Sequence, residues 1–143
     1  MKSTKINELK FTLPAISVNE GVARAVVGAF CAQLNPTVEE IADLKCAVSE
    51  AVTNAIVHAY RGEGGLIYIS VSLFSDRSIA VSVRDRGCGI PDVALARQPL
   101  FTTNTDGERS GMGFSVMETF TDRLSVLSRP GMGTRVNMKK RLL

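Results

Sequence analysis

The feature that most constrains this chain is a helical pattern of apolar residues in the first half of the sequence. The apolar positions recur at intervals of three and four, as on one face of an amphipathic helix: Ile41, Leu44, Ala47, Val48, Ala51, Val52, Ala55 and Ile56. Glu50, Asn54 and His58 follow one another at four-residue steps within the same run. Four residues turn a helix only about 40° past a full circle. A carboxylate, an amide and an imidazole are therefore predicted to form a polar stripe on one helix face.

This polar stripe has two interpretations. It can be the solvated side of a surface helix, which is the common place for charged and amide side chains. Alternatively, the helix is covered on most sides and the stripe faces a cavity. The positions between the stripe residues are small or apolar and include no lysine or arginine. That composition favours the covered helix.

Length and composition indicate a single domain over residues 1–143. A chain of this length, with 45% hydrophobic residues, can bury about 70% of its unfolded surface around one core. No apolar run approaches the roughly 20 residues of a membrane span, and the polar segment Met1–Lys10 is unlike a signal peptide. The three cysteines are unevenly spaced and form no CxxC pair, which argues against disulfides and zinc. A cytoplasmic protein is expected.

Basic residues are scattered along the chain, apart from Lys139, Lys140 and Arg141 near its end. A net charge of +3 without a basic stripe or an aromatic stacking platform does not fit a nucleic-acid interface. We therefore expect no direct contact with nucleic acid and no membrane association.

Helix starts are predicted by two capping boxes, Ser17 with Glu20 and Thr37 with Glu40. The second box opens the helix that carries the polar stripe. A third helix is predicted to begin near Gly113 and to turn its apolar side chains inward.

Alternating, β-rich segments predict five strands, at residues 8–13, 66–73, 79–84, 124–128 and 134–138. The first strand is expected at a sheet edge, and the other four form two hairpins. Residues 90–110 show no periodicity, which is typical of a functional lid or a disordered loop. Helices and strands in this order predict a two-layer α/β sandwich, a mixed sheet with its helices on one face.

Glycines mark the ends of two predicted elements. Asp85, Gly87 and Gly89 follow a strand, where residues without Cβ let a flat ligand approach the backbone. Gly111 and Gly113 precede a helix, whose first amides and partial positive charge favour phosphate. A carboxylate that accepts an amino proton and a helix end that holds phosphates suit a purine nucleotide. Either glycine pair alone is more typical of a plain turn, and neither fits a Walker A or dinucleotide motif.

The order of these motifs resembles the ATPase and kinase superfamily that contains gyrase, the ninety-kilodalton heat-shock chaperones, histidine kinases and mismatch-repair ATPases. The matching segments are the stripe from Glu50 to His58, DxGxG at 85–89, GMGF at 111–114, and Gly133 with Thr134. The resemblance covers nearly the whole chain and implies the Bergerat ATP-binding fold. More narrowly, SEAVTNAIVHAY, RDRGCGIPD, ARQPLFTTN and ERSGMGF are similar to the anti-sigma F family of spore-forming bacteria.

The resemblance implies roles for individual residues in a site for ATP or ADP with Mg²⁺. Glu50 would be the general base, and Asn54 would be the Mg²⁺ ligand. Asp85 would bind the adenine amino group with help from Thr134. Arg109 would neutralise charge on the γ-phosphate. The remaining nucleotide contacts would come from His58, Gly87, Gly89, Thr102, Thr103, Ser110, Gly111, Met112 and Gly113.

Three residues near the implied nucleotide keep alternatives open. Arg86 and Cys88 occupy the variable positions of DxGxG, where an acidic residue and a small apolar residue are expected in close relatives. Arg86 leaves the motif intact. Cys88 either makes nucleotide binding sensitive to oxidation or is a buried, inert thiol. His58 either contacts the nucleotide or is a hydrogen-bonded residue that orders the helix end.

The anti-sigma F resemblance implies a protein serine kinase that also binds and inhibits sporulation sigma factor F. Its substrate would be a serine of the anti-anti-sigma factor. The protein would be a homodimer, with Arg24 contacting both partners. The alternative is a nucleotide-gated sigma-binding module with little or no kinase activity. Glu50 favours the kinase, because a pure binding module needs no base.

Overall fold

The computed structural model describes residues 2–98 and 113–143. Its elements are β1 (Lys5–Pro14), α1 (Val18–Cys31), α2 (Val38–Asn54), β2 (Leu66–Phe74), β3 (Ser78–Asp85), α3 (Val93–Ala96), α4 (Gly113–Phe120), β4 (Arg123–Arg129) and β5 (Gly133–Arg141). A 3₁₀ turn follows α1 and a π-helical turn, Ala55–Ala59, follows α2. Each predicted strand and helix overlaps an observed one. The short helix α3 lies in a segment for which the sequence predicted no regular structure.

The five strands form one sheet in the order β1-β2-β3-β5-β4. The predicted α/β sandwich is confirmed, and β1 lies at an edge as expected. In the described part of the chain all the strand pairings are antiparallel, so the predicted mixed sheet is wrong in that detail. Strands β3 and β4 do run in the same direction. They are not neighbours, because β5 folds back between them and pairs with both.

Side chains alternate across the sheet, so that one face builds the core. In β2, Ile67, Ile69 and Val71 are buried, whereas Tyr68 and Ser70 point to the opposite face. Core residues of α1, α2 and α4 join the buried strand residues in one hydrophobic cluster. The helices therefore cover the buried face. No described helix is both long enough and apolar enough to cross a membrane.

The predicted capping box at the start of α2 is confirmed. The Glu40 amide donates to Thr37 Oγ1 at 3.0 Å, and the Thr37 amide donates to Glu40 Oε1 at 2.9 Å. These bonds satisfy amides that the helix itself leaves without partners. They fix the first turn of the helix that carries Glu50 and Asn54.

The predicted capping box at the start of α1 is wrong. Ser17 has helical backbone angles and its side chain makes no capping hydrogen bond. The Glu20 carboxylate instead accepts a hydrogen bond from the Ser49 hydroxyl on α2 and forms an ion pair with Arg24. Glu20 therefore links the two helices rather than closing the end of its own.

Candidate active site

Glu50 and Asn54 lie one turn apart on α2, and both side chains are half-buried. They face the first residue of α4. A Cβ atom placed on Gly113 would lie 3.3 Å from Glu50 Oε2 and 3.2 Å from both side-chain polar atoms of Asn54. A carboxylate, an amide and the N-terminus of a helix thus meet at one point, as the covered-helix interpretation of the polar stripe requires.

The third stripe residue, His58, lies beyond the end of the regular helix. The sequence pattern predicted one continuous helix, but α2 ends at Asn54 and the chain continues in the π-helical turn. The Tyr60 amide donates to the Ala55 carbonyl at 3.0 Å, five residues back, which widens this turn. The His58 side chain is half-buried, and its backbone carbonyl lies 3.4 Å from Cys88 Sγ. Its role toward a nucleotide stays a prediction.

Asp85 is the buried carboxylate at the end of β3, with only 7% of its surface exposed. Its Oδ1 accepts hydrogen bonds from the Gly87 amide at 2.9 Å and from the Thr134 amide at 3.2 Å. Burial raises the pKa of this carboxyl above its ordinary value, and the two amides oppose that shift only in part. Both described hydrogen bonds end on Oδ1, which leaves Oδ2 for an amino group of a ligand.

Thr134 lies directly opposite Asp85 in the β3–β5 pairing. Its hydroxyl is 2.8 Å from the hydroxyl of Ser128 on β4. Ser128 Oγ also accepts a hydrogen bond from the Ile90 amide at 2.7 Å. The sequence analysis did not single out Ser128, because an isolated serine in a strand carries no distinctive signal. The structure places it behind Thr134, where it ties β4 to the segment after Gly89.

Gly87 and Gly89 are required by close contacts within the protein. A Cβ on Gly87 would lie 2.4 Å from the carbonyl oxygen of Ala59 in the π-helical turn. Gly89 has a φ of +76°, and a Cβ there would lie 2.1 Å from the carbonyl oxygen of Arg129. The loop after β3 is therefore clamped between the end of α2 and the last hairpin. Whether it also makes room for a base stays a prediction.

The two variable positions of DxGxG turn outward. Arg86 is exposed, and its guanidinium stacks over the ring of Tyr68 at 4.9 Å. This contact holds the Arg86 side chain against Tyr68, on the sheet face opposite the core. Cys88 is exposed as well. The interpretation of Cys88 as a buried thiol is therefore wrong, and the oxidation-sensitive interpretation stays a prediction.

Six predicted nucleotide contacts lie outside the described residues. These are Thr102, Thr103, Arg109, Ser110, Gly111 and Met112. The short helix α3, which precedes them in the chain, was not predicted from the sequence. Its signal is Asp92, whose side chain accepts a hydrogen bond from the Leu95 amide at 3.0 Å, as an N-cap residue does. Arg97, just after α3, forms an ion pair with Glu118 of α4.

The donors at the end of α2 suit Mg²⁺. Asn54 supplies an amide oxygen atom, the ligand type that Mg²⁺ prefers, next to the carboxylate of Glu50. Within residues 2–98 and 113–143, no group of three or more histidine, cysteine, aspartate or glutamate side chains could hold a metal. One or two protein oxygens suit an ion that takes its other ligands from phosphates and water.

Arg24, the predicted partner contact, lies on the exposed side of α1. About half of its side chain is exposed, and its Nε is 3.6 Å from Glu20 Oε1. The structure thus does not bring Arg24 into the site formed by Glu50, Asn54 and Asp85. An exposed arginine on a helix is available to a partner protein.

Comparison with known proteins matches this arrangement to an ATPase family. The Histidine kinase-like ATPase domain family matches residues 13–140. Two anti-sigma F factors are similar over nearly their whole length. That of Bacillus licheniformis is 52% identical over 137 residues, covering 95% of this chain and 93% of the relative. That of Caldanaerobacter subterraneus subsp. tengcongensis is 55% identical over 140 residues, covering 98% and 96%.

Solved structures share the same fold. The RsbU and RsbW domains of Rv1364c from Mycobacterium tuberculosis align with a TM-score of 0.69 and 24% identity, over 96% of this chain and 33% of that one. The catalytic domain of histidine kinase ThkA aligns with a TM-score of 0.58 and 17% identity, over 96% and 97%. At these identities the likeness concerns the fold alone.

Proposed function

The chain belongs to the anti-sigma F factors, within the histidine kinase-like ATPase family, and from that premise we propose that it is a protein serine kinase that inhibits a sigma factor. Family membership gives a kinase-type ATPase domain and a nucleotide ligand. The serine specificity, sigma factor F as the inhibited partner and the anti-anti-sigma factor as the substrate are part of the proposal. So are Mg²⁺, the homodimer and a cytoplasmic location.

The observation that carries the proposal is the meeting of Glu50, Asn54 and Gly113. The amino end of α4 carries partial positive charge and amides that the helix does not use, so it suits the phosphates of ATP. Asn54 would hold Mg²⁺ through its side-chain oxygen at the same point. The bound ion would neutralise charge on the phosphates during transfer. Thr102, Thr103, Arg109, Ser110, Gly111 and Met112 would complete the phosphate contacts.

Base recognition in this proposal belongs to Asp85. Its Oδ2 accepts a hydrogen bond from the adenine amino group, while Oδ1 remains bonded to the amides of Gly87 and Thr134. Because both of those donors are backbone groups, the carboxylate has a fixed orientation. A fixed acceptor discriminates adenine from a purine that has an oxygen in place of the amino group.

Glu50 would act as the general base. Its carboxylate lies beside the amino end of α4, where the phosphates would bind, and there it would accept the proton of an attacking serine hydroxyl. Protein kinases depend on positioning and electrostatics together with such a carboxylate. A module that only binds nucleotide has no use for a carboxylate beside the phosphates, since it repels them.

The partner surface in the proposal lies at the start of α1. Ile16, Val18 and Val22 are 51%, 69% and 41% exposed, and Val18 and Val22 lie one turn apart on α1, the helix that also carries Arg24. Apolar side chains with a neighbouring arginine are typical of protein interfaces. We assign these residues to homodimer and partner contacts.

Sedimentation velocity on the purified protein tests the homodimer directly, since a monomer at all concentrations contradicts it.

The deciding experiment is transfer of labelled phosphate from Mg²⁺-ATP to a purified anti-anti-sigma factor. We expect Glu50→Gln and Asn54→Ala to lower the rate at least about a hundredfold, with nucleotide still bound by Glu50→Gln. Glu39→Gln, an exposed glutamate in the first turn of α2, is the matched control and should transfer normally. A wild type that binds ATP and captures sigma factor but transfers nothing would instead be a nucleotide-gated inhibitor.

A further inference from the structure

We propose that Tyr60 is the positioning residue that sets the orientation of Asp85, and thereby the preference of the site for adenine. This inference rests on the proposed role of Asp85 in base recognition. Tyr60 follows the π-helical turn and has no part in the phosphate end of the site. Tyr60 was not predicted from the sequence, because its partner at the end of β3, the Arg86 amide, is 26 residues away in the chain.

The Tyr60 hydroxyl bridges two backbone groups. It accepts a hydrogen bond from the Arg86 amide at 2.7 Å and donates one to the Leu66 carbonyl at 2.6 Å. Its ring packs on Gly65, where a Cβ would lie only 2.4 Å from a ring carbon. The ring and the hydroxyl are thus both held. The hydroxyl joins the beginning of β2 to the residue that follows β3.

The Arg86 amide belongs to the peptide bond that directly follows Asp85. Holding this peptide plane fixes the last backbone torsion of Asp85. On its other side the Asp85 carbonyl is enclosed by Gly133, where a Cβ would lie 2.2 Å from it. The hydrogen bond from the Arg86 amide to Tyr60 and the contact of the Asp85 carbonyl with Gly133 therefore restrain the backbone of Asp85 on opposite sides. The backbone position in turn sets the direction in which the Asp85 carboxylate points.

The rest of the loop is held by the same neighbours. The Cys88 amide donates to the Ala59 carbonyl at 3.0 Å, and the Gly131 amide donates to the Cys88 carbonyl at 2.7 Å. The π-helical turn after α2 and the residue that follows it thus supply two hydrogen-bond acceptors to the loop, the Ala59 carbonyl and the Tyr60 hydroxyl. The π-helical turn is what brings the Ala59 carbonyl toward the loop, in keeping with the frequent place of such turns at functional sites.

Binding of two ligands to two proteins tests the positioning role of Tyr60. The affinities of wild type and Tyr60→Phe are measured by calorimetry for Mg²⁺-ATP and for purine riboside triphosphate, which lacks the amino group. The preference for ATP is the ratio of the two affinities. Loss of the hydroxyl should lower this ratio about three- to tenfold, the usual effect of one hydrogen bond. Affinity for purine riboside triphosphate should change less. A merely structural role would weaken both ligands equally.

The matched control is Tyr68→Phe. The chain has two tyrosines, and Tyr68 lies on the opposite face of the sheet, where its ring contacts Arg86 and Arg84. Removing its hydroxyl keeps that ring and should leave the ATP preference unchanged. With Tyr68 replaced, the remaining tyrosine fluorescence reports on Tyr60 alone, and we expect it to change on addition of Mg²⁺-ATP.

The outcomes separate the two proposals. A wild type that binds both triphosphates equally overturns recognition of adenine by Asp85. A wild type that prefers ATP, with the same preference in Tyr60→Phe, overturns the role of Tyr60 and leaves that of Asp85 intact. Amide hydrogen exchange in the unaltered protein is the second measurement. An Arg86 amide that exchanges as fast as that of the exposed Gly64 also overturns the inference.

Discussion

At the scale of single residues, Asp85 combines burial with two backbone donors. Because burial is the larger influence on its pKa, the folded protein holds a proton on this carboxyl more readily than the unfolded chain does. Its contribution to stability is therefore greatest in acid. That contribution declines as the pH rises from the ordinary range of a carboxyl through the raised pKa.

Asp85→Asn should separate stability from binding. The asparagine oxygen can still accept from Gly87 and Thr134, so the variant should be at least as stable as wild type at neutral pH. Its advantage in melting temperature should grow between pH 4 and pH 7, since only the wild type must ionise. Affinity for Mg²⁺-ATP should fall about 10- to 100-fold, as measured by calorimetry. A variant that melts well below wild type at pH 7 contradicts this account.

The cysteines should differ in reactivity with iodoacetamide. Cys31 is buried, and burial raises its pKa to about 12, so its thiolate is scarce at pH 8. Cys88 is exposed and should be alkylated first. Saturating Mg²⁺-ATP should slow the reaction of Cys88, because the proposed adenine site lies beside it. Peptide mapping by mass spectrometry gives both rates, and equal Cys88 labelling with and without ATP removes the oxidation-sensor interpretation.

At the scale of elements, the two helix starts look alike in sequence and differ in the structure. Both have a hydroxyl residue followed by glutamate three positions later, but only the Thr37 box forms. The reason lies outside the local sequence, since the glutamate of the first box is bonded to Ser49 on a neighbouring helix. A capping box predicted from local sequence therefore forms only where neither of its side chains is bonded to a residue elsewhere in the fold.

A pair of alanine substitutions tests this difference. Thr37→Ala should lower the free energy of unfolding by about 1 kcal/mol, because it removes a capping hydrogen bond. Ser17→Ala should change it by less than about 0.5 kcal/mol, since the Ser17 side chain makes no capping bond. Urea unfolding of both variants gives the comparison. Equal losses would mean that Ser17 caps α1 in solution.

Most elements were predictable from sequence, because apolar periodicity reports directly on which side chains are buried. The end of α2 was not. The pattern through His58 predicted a regular helix, whereas tertiary contacts with the loop after β3 accompany a wider turn there. The meeting of Glu50 with Gly113 was foreseen only through the family resemblance, as the two residues are far apart in sequence. Tyr60 was missed because its partner Arg86 is also distant in sequence, whereas Ser128 was missed because an isolated serine in a strand carries no distinctive signal.

At the scale of the whole molecule, the proposed nucleotide site and the proposed partner surface are separate. The site lies where α2, α4 and the β3–β5 pair meet, and Arg24 lies on α1. The hydrogen bond from the Ser49 hydroxyl to the Glu20 carboxylate is one direct link between α1 and α2. Arg24 itself pairs with Glu20, so the residue at the proposed partner surface touches this link.

Arg24→Glu should weaken binding of sigma factor and anti-anti-sigma factor without affecting the nucleotide. The substitution reverses charge at the proposed surface and also repels Glu20. We expect a loss of at least about tenfold in affinity for both partners, with unchanged affinity for Mg²⁺-ATP. Arg123→Glu, an exposed arginine on β4, is the matched control. Unchanged affinity for both partners in Arg24→Glu removes the assignment.

The pairing of Asp85 with Thr134 has a consequence for synthesis of the protein. The carboxylate receives one of its two amide donors from β5, which follows the other four strands of the sheet in the chain. A nascent chain that ends before residue 134 contains the whole of α2, with Glu50 and Asn54, yet it lacks the strand that donates to the Asp85 carboxylate, the proposed acceptor for adenine. The proposed adenine site therefore needs β5 as well as β3, so a nascent chain can form it only after residue 134 has left the ribosome.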